Sequence, residues 1–451
     1  MPVGINFGSA TSGNGFDVAN TVSSIMALQR TPETAWKTRV TALQAQDTAL
    51  TNIGTHLSAL STALSSLTNF DGVLSTKSGA SSDPATVAIT GADTTARAGT
   101  HSVLVSHLAQ ISTQYSNSVG ATDTLSGSLS IQIGSGTPAS ITIDSTNNTL
   151  ATLASSINTA NLGVTATVVS TTGGARLSFV SNTGGAAGEI TVGGTLNDDT
   201  TAQAVAFTEG QPGRDAEFSV DGITMSSATN TVQNAIPGVT LQLLNTAGTA
   251  AQIEIVNDTS SVSSALNSFV NAYNAVIDDL TTQEGKDASG NAEPLYGSTV
   301  LSTIHTQLSS ALASSSASSG TMKYLSQLGI TTGVDGKLSL DSATLNSTLN
   351  NNYSDVQSFF QASGNFGQSL VSTLTNLGST SAYGTVALAL SQNGDEEDRL
   401  NTNVTNLEAR LSTYEKSLTA QLTSANQILQ SIPQRLDEIK QMYDAITGKN
   451  S

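Results

Sequence analysis

The apolar positions of this chain follow a helical period at both ends and a strand period in the middle. After a Gly- and Ser-rich opening, Asp17 precedes VANTVSSIMALQR, where apolar residues recur every three or four positions. This pattern predicts a short helix that Asp17 caps and that Thr31-Pro32 interrupts. Its apolar stripe is predicted at Val18, Val22, Ile25 and Leu28.

A longer stripe follows, in which apolar residues alternate by three and four positions. This is a heptad pattern, with Asp47 in one apolar position. The lone tryptophan opens it and is predicted to be a packing anchor. The members of this first seam are Trp36, Val40, Leu43, Leu50, Ile53, Leu57, Leu60, Leu64 and Leu67.

A second seam ends the chain, in a helix predicted to begin near Asp395. There the acids of DEED would lie at the positive end of the helix dipole. Two successive four-residue steps form a stutter, and Pro433 is predicted to kink or divide the helix. The members are Leu400, Val404, Leu407, Leu411, Tyr414, Leu418, Leu422, Ala425, Leu429, Ile432, Leu436, Ile439 and Tyr443.

Each of these long seams needs a partner, because an amphipathic helix of this length is not stable alone in water. Paired with each other, they would form an antiparallel coiled-coil stalk. We favour this stalk over the alternative in which both helices are buried in one helical core.

Between about residues 85 and 256 the period changes to two and the loops become rich in glycine, which predicts strands. One helix, TLATLASSIN, interrupts them, and helical patterns return over 262–280 and 301–312. In TTGVDGKLSLD, Asp335-Gly336 predicts a hairpin turn and Asp341 a helix cap, because a calcium loop needs a different ligand spacing. The fold class is therefore α+β and multidomain, with a helical leg or stalk built from both chain termini and β-rich material inserted between them.

The amino-acid composition limits the classes of function that this chain can have. The 451 residues carry a net charge of −18 with only 11% charged and 4% aromatic residues, which opposes nucleic-acid binding. No segment is long and apolar enough for membrane insertion. There is no cysteine, and MPVGINFGSATSGNG has neither the basic nor the apolar region of a cleaved signal peptide.

No motif in the sequence indicates catalysis. The chain lacks a nucleophile elbow, a P-loop and HExxH, and no acidic ligand is expected near His101 or His107, so we predict neither a metal nor a cofactor. Because the chain contains many acidic residues, the sequence does not exclude a pair of carboxylates placed for glycosidic cleavage. We therefore predict a structural or interaction protein rather than an enzyme.

Several blocks, in order, resemble the flagellar filament cap proteins, the hook-associated protein 2 family. They are GNGFDVANTVSSIMALQRTP, GTHSVLVSHLAQIS, TLATLASSINTANLGVTATVV with GARLSFVS, GRDAEFSVDGITMSSATNTVQNAIPGVTLQLL, FVNAYNAVIDDL and LGITTGVDGKLSLDSATLNSTLNNNYSDVQSFF.

This resemblance implies four regions and a ring of copies, commonly a pentamer, that sits on the filament tip. The predicted regions are 1-40 and 426-451 as mobile terminal leg segments, 41-77 and 259-425 as a helical domain, 78-112 and 206-258 as a β-rich head domain, and 113-205 as a second inserted head domain. The resemblance also implies contacts with flagellin, which the cap would retain and help to fold and insert. Further implied partners are the flagellar type III export machinery and an export chaperone, with an extracellular location and no cleaved signal.

Filament contacts are predicted at Val18, Val22, Ile25, Leu28, Ile432, Leu436 and Ile439. Two alternatives remain: another flagellar axial protein, such as a junction protein or flagellin, and an adhesin that displays β domains on a stalk. A flagellin would polymerise into filaments, whereas a cap forms a closed ring.

Overall fold

A computed structural model describes residues 15–316, 321–378 and 381–447 of the chain. The chain divides into two compact units, Met1–Thr68 with Ser263–Ser451, here called the helical unit, and Asn69–Val262, here called the β unit. This division does not test the four predicted regions, which stay a prediction. The opening segment that we expect to lack a signal peptide lies largely outside the described residues, as do the outer ends of both predicted legs.

Nine α-helices lie in the described residues. Their bounds are Val18–Gln29 (α1), Thr31–Thr68 (α2), Leu150–Ala160 (α3), Thr259–Gln283 (α4), Thr299–Ala313 (α5), Ser342–Asn351 (α6), Tyr353–Gln361 (α7), Phe366–Leu377 (α8) and Thr385–Thr447 (α9). The predicted start of α1 is confirmed, because the Asp17 carboxylate accepts a hydrogen bond from the Asn20 N–H. The predicted interruption is confirmed as well, since α1 ends at Gln29 and α2 begins at Thr31.

The first part of α2 runs antiparallel to α9. The Lys37 ammonium lies 3.5 Å from Glu408, and the Asn393 side-chain amide donates to Asp47 at 2.7 Å. Residue numbers therefore increase along α2 in the direction in which they decrease along α9. Between these two polar contacts lies an apolar cluster of Val40, Leu43 and Leu400, with Trp36 packed against it. The predicted pairing of the two ends of the chain is therefore present.

The second part of α2 is buried in a helical core instead. Leu50, Leu57, Leu60 and Leu64 are all at most 1% exposed, and His56 on this part contacts Asp279 of α4 at 2.6 Å. The sequence permits two arrangements of the seams, a stalk and a common core. The structure contains both, each on a different half of the same helix.

The last helix is longer than the sequence predicts. It begins at Thr385, ten residues before Asp395, and Val386 and Ala389 in this added part of the helix are buried. The DEED acids therefore lie inside the helix, where Glu396 pairs with Arg399. Of the two outcomes predicted at Pro433, a kink or a division, the division is absent, since α9 is continuous through this residue; the kink stays a prediction.

The β unit is built from antiparallel sheets. The strands are Lys77–Ser81 (β1), Val87–Ala92 (β2), Gly99–His107 (β3), Thr113–Ser116 (β4), Leu125–Ile133 (β5), Ala139–Thr142 (β6), Val164–Thr171 (β7), Gly174–Ser181 (β8), Ile190–Asp198 (β9), Gln203–Ala204 (β10), Phe207–Gln211 (β11), Ala216–Val220 (β12), Ile223–Ser227 (β13), Thr231–Gln233 (β14), Val239–Leu243 (β15) and Ala251–Asn257 (β16). Their orders are β1-β16-β3-β12-β13, β14-β15-β2, β10-β9-β5-β6 and β11-β4-β8-β7.

Two hydrophobic cores fill the β unit. One contains Phe218, Leu241 and Ile253 between the five-stranded and three-stranded sheets. The other contains Leu153, Ile157 and Phe179, where α3 packs with the two four-stranded sheets. Helical termini with inserted sheets confirm the predicted α+β multidomain class.

The predicted hairpin after residue 330 is confirmed in the helical unit. Ile330–Thr332 (β17) pairs with Leu338–Leu340 (β18), and Gly336 has the positive φ of +79° that the turn requires. The Asp341 carboxylate accepts from the Ala343 N–H and caps α6, as predicted.

Replacing Leu43 by Ala should lower the free energy of unfolding by about 2–5 kcal/mol, because the truncation leaves a cavity at a site that is 1% exposed. Trp36, which packs beside this site, is the only tryptophan, so denaturant unfolding followed by its fluorescence reports the local transition. The control is Leu28→Ala at a 65% exposed position, where the change should stay within about 0.5 kcal/mol. Equal effects at the two positions would contradict the described pairing.

Candidate functional site

The pairing of the chain ends continues from α2 to α1. Val22 and Met26 of α1 are buried against Leu407 and Leu411 of α9. Farther along, the Phe16 N–H donates to the Asn426 side chain at 2.7 Å, which keeps the antiparallel direction. We call this α1 and α9 pair, which holds residues from both ends of the chain, the terminal helix pair.

The predicted contact stripe of α1 is only partly free in the terminal helix pair. Val22 is buried within the chain, Val18 and Ile25 are half-buried, and Leu28 is 65% exposed. Sequence reasoning missed Met26 as the second buried position. The signal was present, because Met26 follows Val22 by four residues and therefore shares its face.

The last part of α9 exposes a row of large apolar side chains, which we call the α9 stripe. Successive members are spaced so that they share one face of the helix. They are Ile428, Leu436, Ile439, Met442, Tyr443 and Ile446, from 49% to 84% exposed. The predicted contacts Leu436 and Ile439 belong to it, and the predicted contact Ile432 is half-buried. A contiguous exposed apolar row of this kind is typical of a binding surface.

The burial of the seam residues of α9 decreases along the part of the helix that α1 contacts. Leu400, Val404, Leu407 and Leu411 are at most 8% exposed, whereas Leu418 is half-buried. The apolar character of the helix continues beyond these residues in the α9 stripe.

A polar layer interrupts the seam between α2 and α9. Asn393 donates to Asp47 at 2.7 Å, and the Gln44 amide lies 3.5 Å from the Glu397 carboxylate. Polar pairs inside a coiled-coil seam fix its register at some cost in stability. This layer lies where α2 changes from the pair with α9 to the helical core.

A chain of charges joins α1, α2 and α9. Glu33 is 7% exposed and accepts hydrogen bonds from Lys37 at 2.6 Å and Arg30 at 3.0 Å, and Lys37 also reaches Glu408. The hydrogen bond from Lys37 holds the pKa of the Glu33 carboxyl below its usual value. The same bond raises the pKa of Lys37, so both groups are charged when they pair.

All four histidines lie beside carboxylates. The pairs are His56–Asp279 at 2.6 Å, His101–Asp221 at 2.7 Å, His107–Glu217 at 3.4 Å and His305–Glu284 at 3.6 Å. The expectation that His101 and His107 have no acidic neighbour is therefore wrong, because pairing of β3 with β12 brings in acids that are 120 and 110 residues away in the sequence. The hydrogen bond with His101 lowers the pKa of Asp221.

Within the described residues, no group of three or more histidine, aspartate or glutamate side chains is placed to hold a metal ion. A search of the same residues finds no helix with the length and apolar character of a membrane span. The surfaces of greatest interest are therefore the terminal helix pair and the α9 stripe.

Two family models match this chain. Residues 14–112 match the N-terminus of flagellar hook-associated protein 2, and residues 213–434 match the C-terminus of the same protein. Together the two matched ranges contain the residues at which the β unit begins and ends, and most of the two chain ends that pair with each other. The chain belongs to the flagellar hook-associated protein 2 family. The recognition made from the ordered sequence blocks is thereby confirmed.

Individual relatives agree with this membership. The flagellar hook-associated protein 2 of Escherichia coli is 28% identical over 76% of this chain and 78% of its own length. The B-type flagellar hook-associated protein 2 of Pseudomonas aeruginosa is 30% identical over 52% of this chain. The chain spans only about half of that relative's length, 55%.

A solved structure also matches. The crystal structure of the D1-D2-D3 domains of the flagellar cap protein FliD from Escherichia coli superposes with a TM-score of 0.59 at 29% identity. The match covers 77% of this chain and 99% of that one. The arrangement of helical ends and inserted sheets is therefore shared with that family member.

Acid should weaken the junction of α1 and α2 through Glu33, whose partners are Arg30 and Lys37. Because its pKa is lowered in the folded chain from the usual 4.5, its contribution to stability is complete above that value and is lost as the pH falls below it. Glu33→Gln should lower stability at pH 7 and remove part of the loss seen in acid. The measurement is thermal unfolding followed by Trp36 fluorescence from pH 7 to pH 3.

The matched control is Asp437→Asn, an exposed acid of α9 far from this charge chain. It should leave the pH profile of the Trp36 signal unchanged. A Glu33→Gln profile that parallels the wild-type profile at every pH would show that the ion pairs of Glu33 contribute nothing to stability.

Proposed function

We propose that this protein is the structural cap at the distal tip of the bacterial flagellar filament, where it retains exported flagellin and promotes its folding and insertion. The observation that carries the proposal is the match of both family models, N-terminal and C-terminal, in the right order on one chain. The shared architecture with a solved flagellar cap protein supports it.

In this proposal the terminal helix pair is the leg that meets the filament. The α9 stripe supplies an apolar surface that no described residue of the helical unit covers, and Leu28 adds an exposed position on α1. Leu28, Ile25, Ile432, Leu436 and Ile439 are then the filament contacts. Val18 and Val22 support them by holding α1 against α9.

The assembly proposed is a ring of copies, a pentamer as is common in the family, with the β units forming the plate. We further propose export through the flagellar type III pathway without a cleaved signal, assisted by a chaperone. Flagellin is the proposed partner at the tip. The alternatives of a junction protein, a flagellin or a stalked adhesin gain no support from the matched family.

Deleting the gene in its host tests the proposed function. We expect cells that lack filaments and release abundant flagellin monomer into the medium, because nothing retains subunits at the tip. The readouts are electron microscopy of cells and immunoblots of the medium, with plasmid-borne wild type as the control. Normal filaments in the deletion strain would contradict the cap proposal.

Replacing Ile439 by Asp should abolish capping while the protein still folds. The 58% exposed side chain lies on the α9 stripe, and a charge there would have to be desolvated in an apolar contact. The measurement is complementation of the deletion strain, scored as filament length, with circular dichroism of the purified variant as the folding check.

The matched control for this variant is Gln441→Asp, which places the same charge on the opposite face of the same helical turn. It should complement the deletion normally. Equal loss in both variants, or normal capping by Ile439→Asp, would show that the α9 stripe is not the contact surface.

A further inference from the structure

Strand β7 is an open edge of the β unit. It pairs with β8 on one side, and on the other side only its first half is covered, where Asn158 of α3 exchanges two hydrogen bonds with the Ala166 backbone, both 2.8 Å. Backbone groups point to alternate sides along a strand, so those of Val168 and Ser170 point outward like those of Ala166. In the described structure no strand pairs with them.

The open part of β7 lacks the usual protection of sheet edges. Its sequence, TVVST, has no charge, no proline and no bulge, and every residue in it is exposed. Soluble proteins normally place lysine, proline or a bulge on such an edge to prevent strand addition. An unprotected edge of β-branched residues is therefore suited to accept another strand.

The same sheet presents an almost uncharged outer face. Tyr115, Val169 and Val180 share that face by their pairing register and are 37% to 48% exposed. Its charged member Arg176 stacks over the Tyr115 ring at 5.6 Å and donates to the Ser116 carbonyl at 2.9 Å. The apolar face and the open edge therefore form one continuous surface.

Charge is distributed unevenly over the β unit. The unit contains fourteen acidic residues and four basic ones, yet Arg176 is the only charged residue between positions 145 and 188. Two copies would therefore repel each other over most of this unit. The β7 surface is the region that another acidic copy can approach without like-charge repulsion.

Strand β13 is a second open edge, on the five-stranded sheet. The N–H of Asp221, in the turn before this strand, donates to the Ser102 carbonyl of β3. Because backbone groups point to alternate sides along a strand, this direction and the pairing register place the backbone groups of Thr224 and Ser226 on the side of β13 that faces away from β12. Ile223, at the start of this strand, is 68% exposed. The neighbouring residues Asp221 and Glu217 make this edge acidic, whereas β7 and β8 contain no acidic residue that would repel it.

We propose that the open edge of β7 in one copy pairs antiparallel with the open edge of β13 in the next copy, with Ser170 opposite Thr224. The two edges lie on different sheets of one chain, so the contact is head-to-tail, and such contacts form a ring when the rotation from copy to copy closes. The inference deepens the proposed ring and rests on that part of the proposed function. It assigns the contact between neighbouring copies in the ring to backbone hydrogen bonds between these two edges of the β unit.

The chain contains no cysteine, so disulfide trapping needs no background mutations. Full-length Ser170→Cys and Thr224→Cys chains are mixed and oxidised mildly. We expect covalent dimers that contain one chain of each kind, because paired strands bring Cα atoms to about 4.5–5.5 Å, within disulfide range. A chain carrying both cysteines should give a ladder that stops at the ring size.

The matched control replaces Ser140, an exposed residue of the edge strand β6, by Cys and mixes it with Thr224→Cys. This mixture should not cross-link. Cross-linking of Ser170→Cys with itself as efficiently as with Thr224→Cys would show a two-fold contact and overturn the proposal. Cross-linking no better than the Ser140 control would overturn it as well.

A second pair of variants tests the backbone pairing. Ser170→Pro removes an outward N–H and should weaken self-association about tenfold, whereas Ser170→Ala keeps the N–H and should not change it. Analytical ultracentrifugation gives the association constants, and circular dichroism checks the fold. Equal association of the two variants would contradict the proposal.

Different experimental results would contradict the edge pairing and the cap function. If the chain with both cysteines restores filaments to the deletion strain but gives no ladder on oxidised cells, the edge pairing is wrong and the cap role stands. If the deletion strain has normal filaments, the cap role fails whatever the cross-linking shows.

Discussion

The structure depends on the pairing of two amphipathic chain ends that cannot be stable apart. A helix of the length of α9 exposes a continuous apolar row unless another helix covers it, and α1 with the first part of α2 covers only part of that row. Everything between them in sequence, including the whole β unit, is therefore an insertion between two halves of one helical assembly. The uncovered remainder, the α9 stripe, is what makes the helix pair suited to bind something else.

Polar residues decide how the two ends align. An apolar seam alone permits neighbouring registers, because leucine packs against leucine in each of them. The hydrogen bond between Asp47 and Asn393 and the charge chain through Glu33, Lys37 and Glu408 are satisfied in the observed register. Each contributes modestly to stability, but a slip of α9 by one heptad would replace Asn393 opposite Asp47 by Val386 or Leu400 and leave this partly buried carboxylate unpaired, which is costly.

Much of this fold was predictable from periodicity, and the failures have physical causes. The two seams, α3 and the hairpin at Gly336 follow directly from apolar spacing and turn residues. Strand β1, KSGAS, lies outside the predicted strand region, because it has no large apolar residue that would show a period of two. The start of α9 was misplaced because glycine and acids usually mark helix ends, whereas here packing of Val386 overrides that local preference.

The candidate contacts were predictable as apolar positions but not as free or covered ones. Val22 and Leu28 look alike in sequence, yet one is buried against α9 and the other is exposed. The acids beside His101 and His107 were invisible because strand pairing, not sequence proximity, places them there. Open sheet edges are likewise a property of topology, so β7 and β13 became candidates only once the strand order was known.

The most direct test of this account is a distance measurement between the two paired chain ends. Spin labels on cysteines at positions 44 and 397 of the full-length protein report the separation of α2 and α9 by pulsed electron spin resonance. The account predicts one narrow population below about 25 Å, because paired helix axes lie about 8–10 Å apart and the labels add their own length. A broad distribution extending well beyond that distance would show that the two ends do not form one helical assembly.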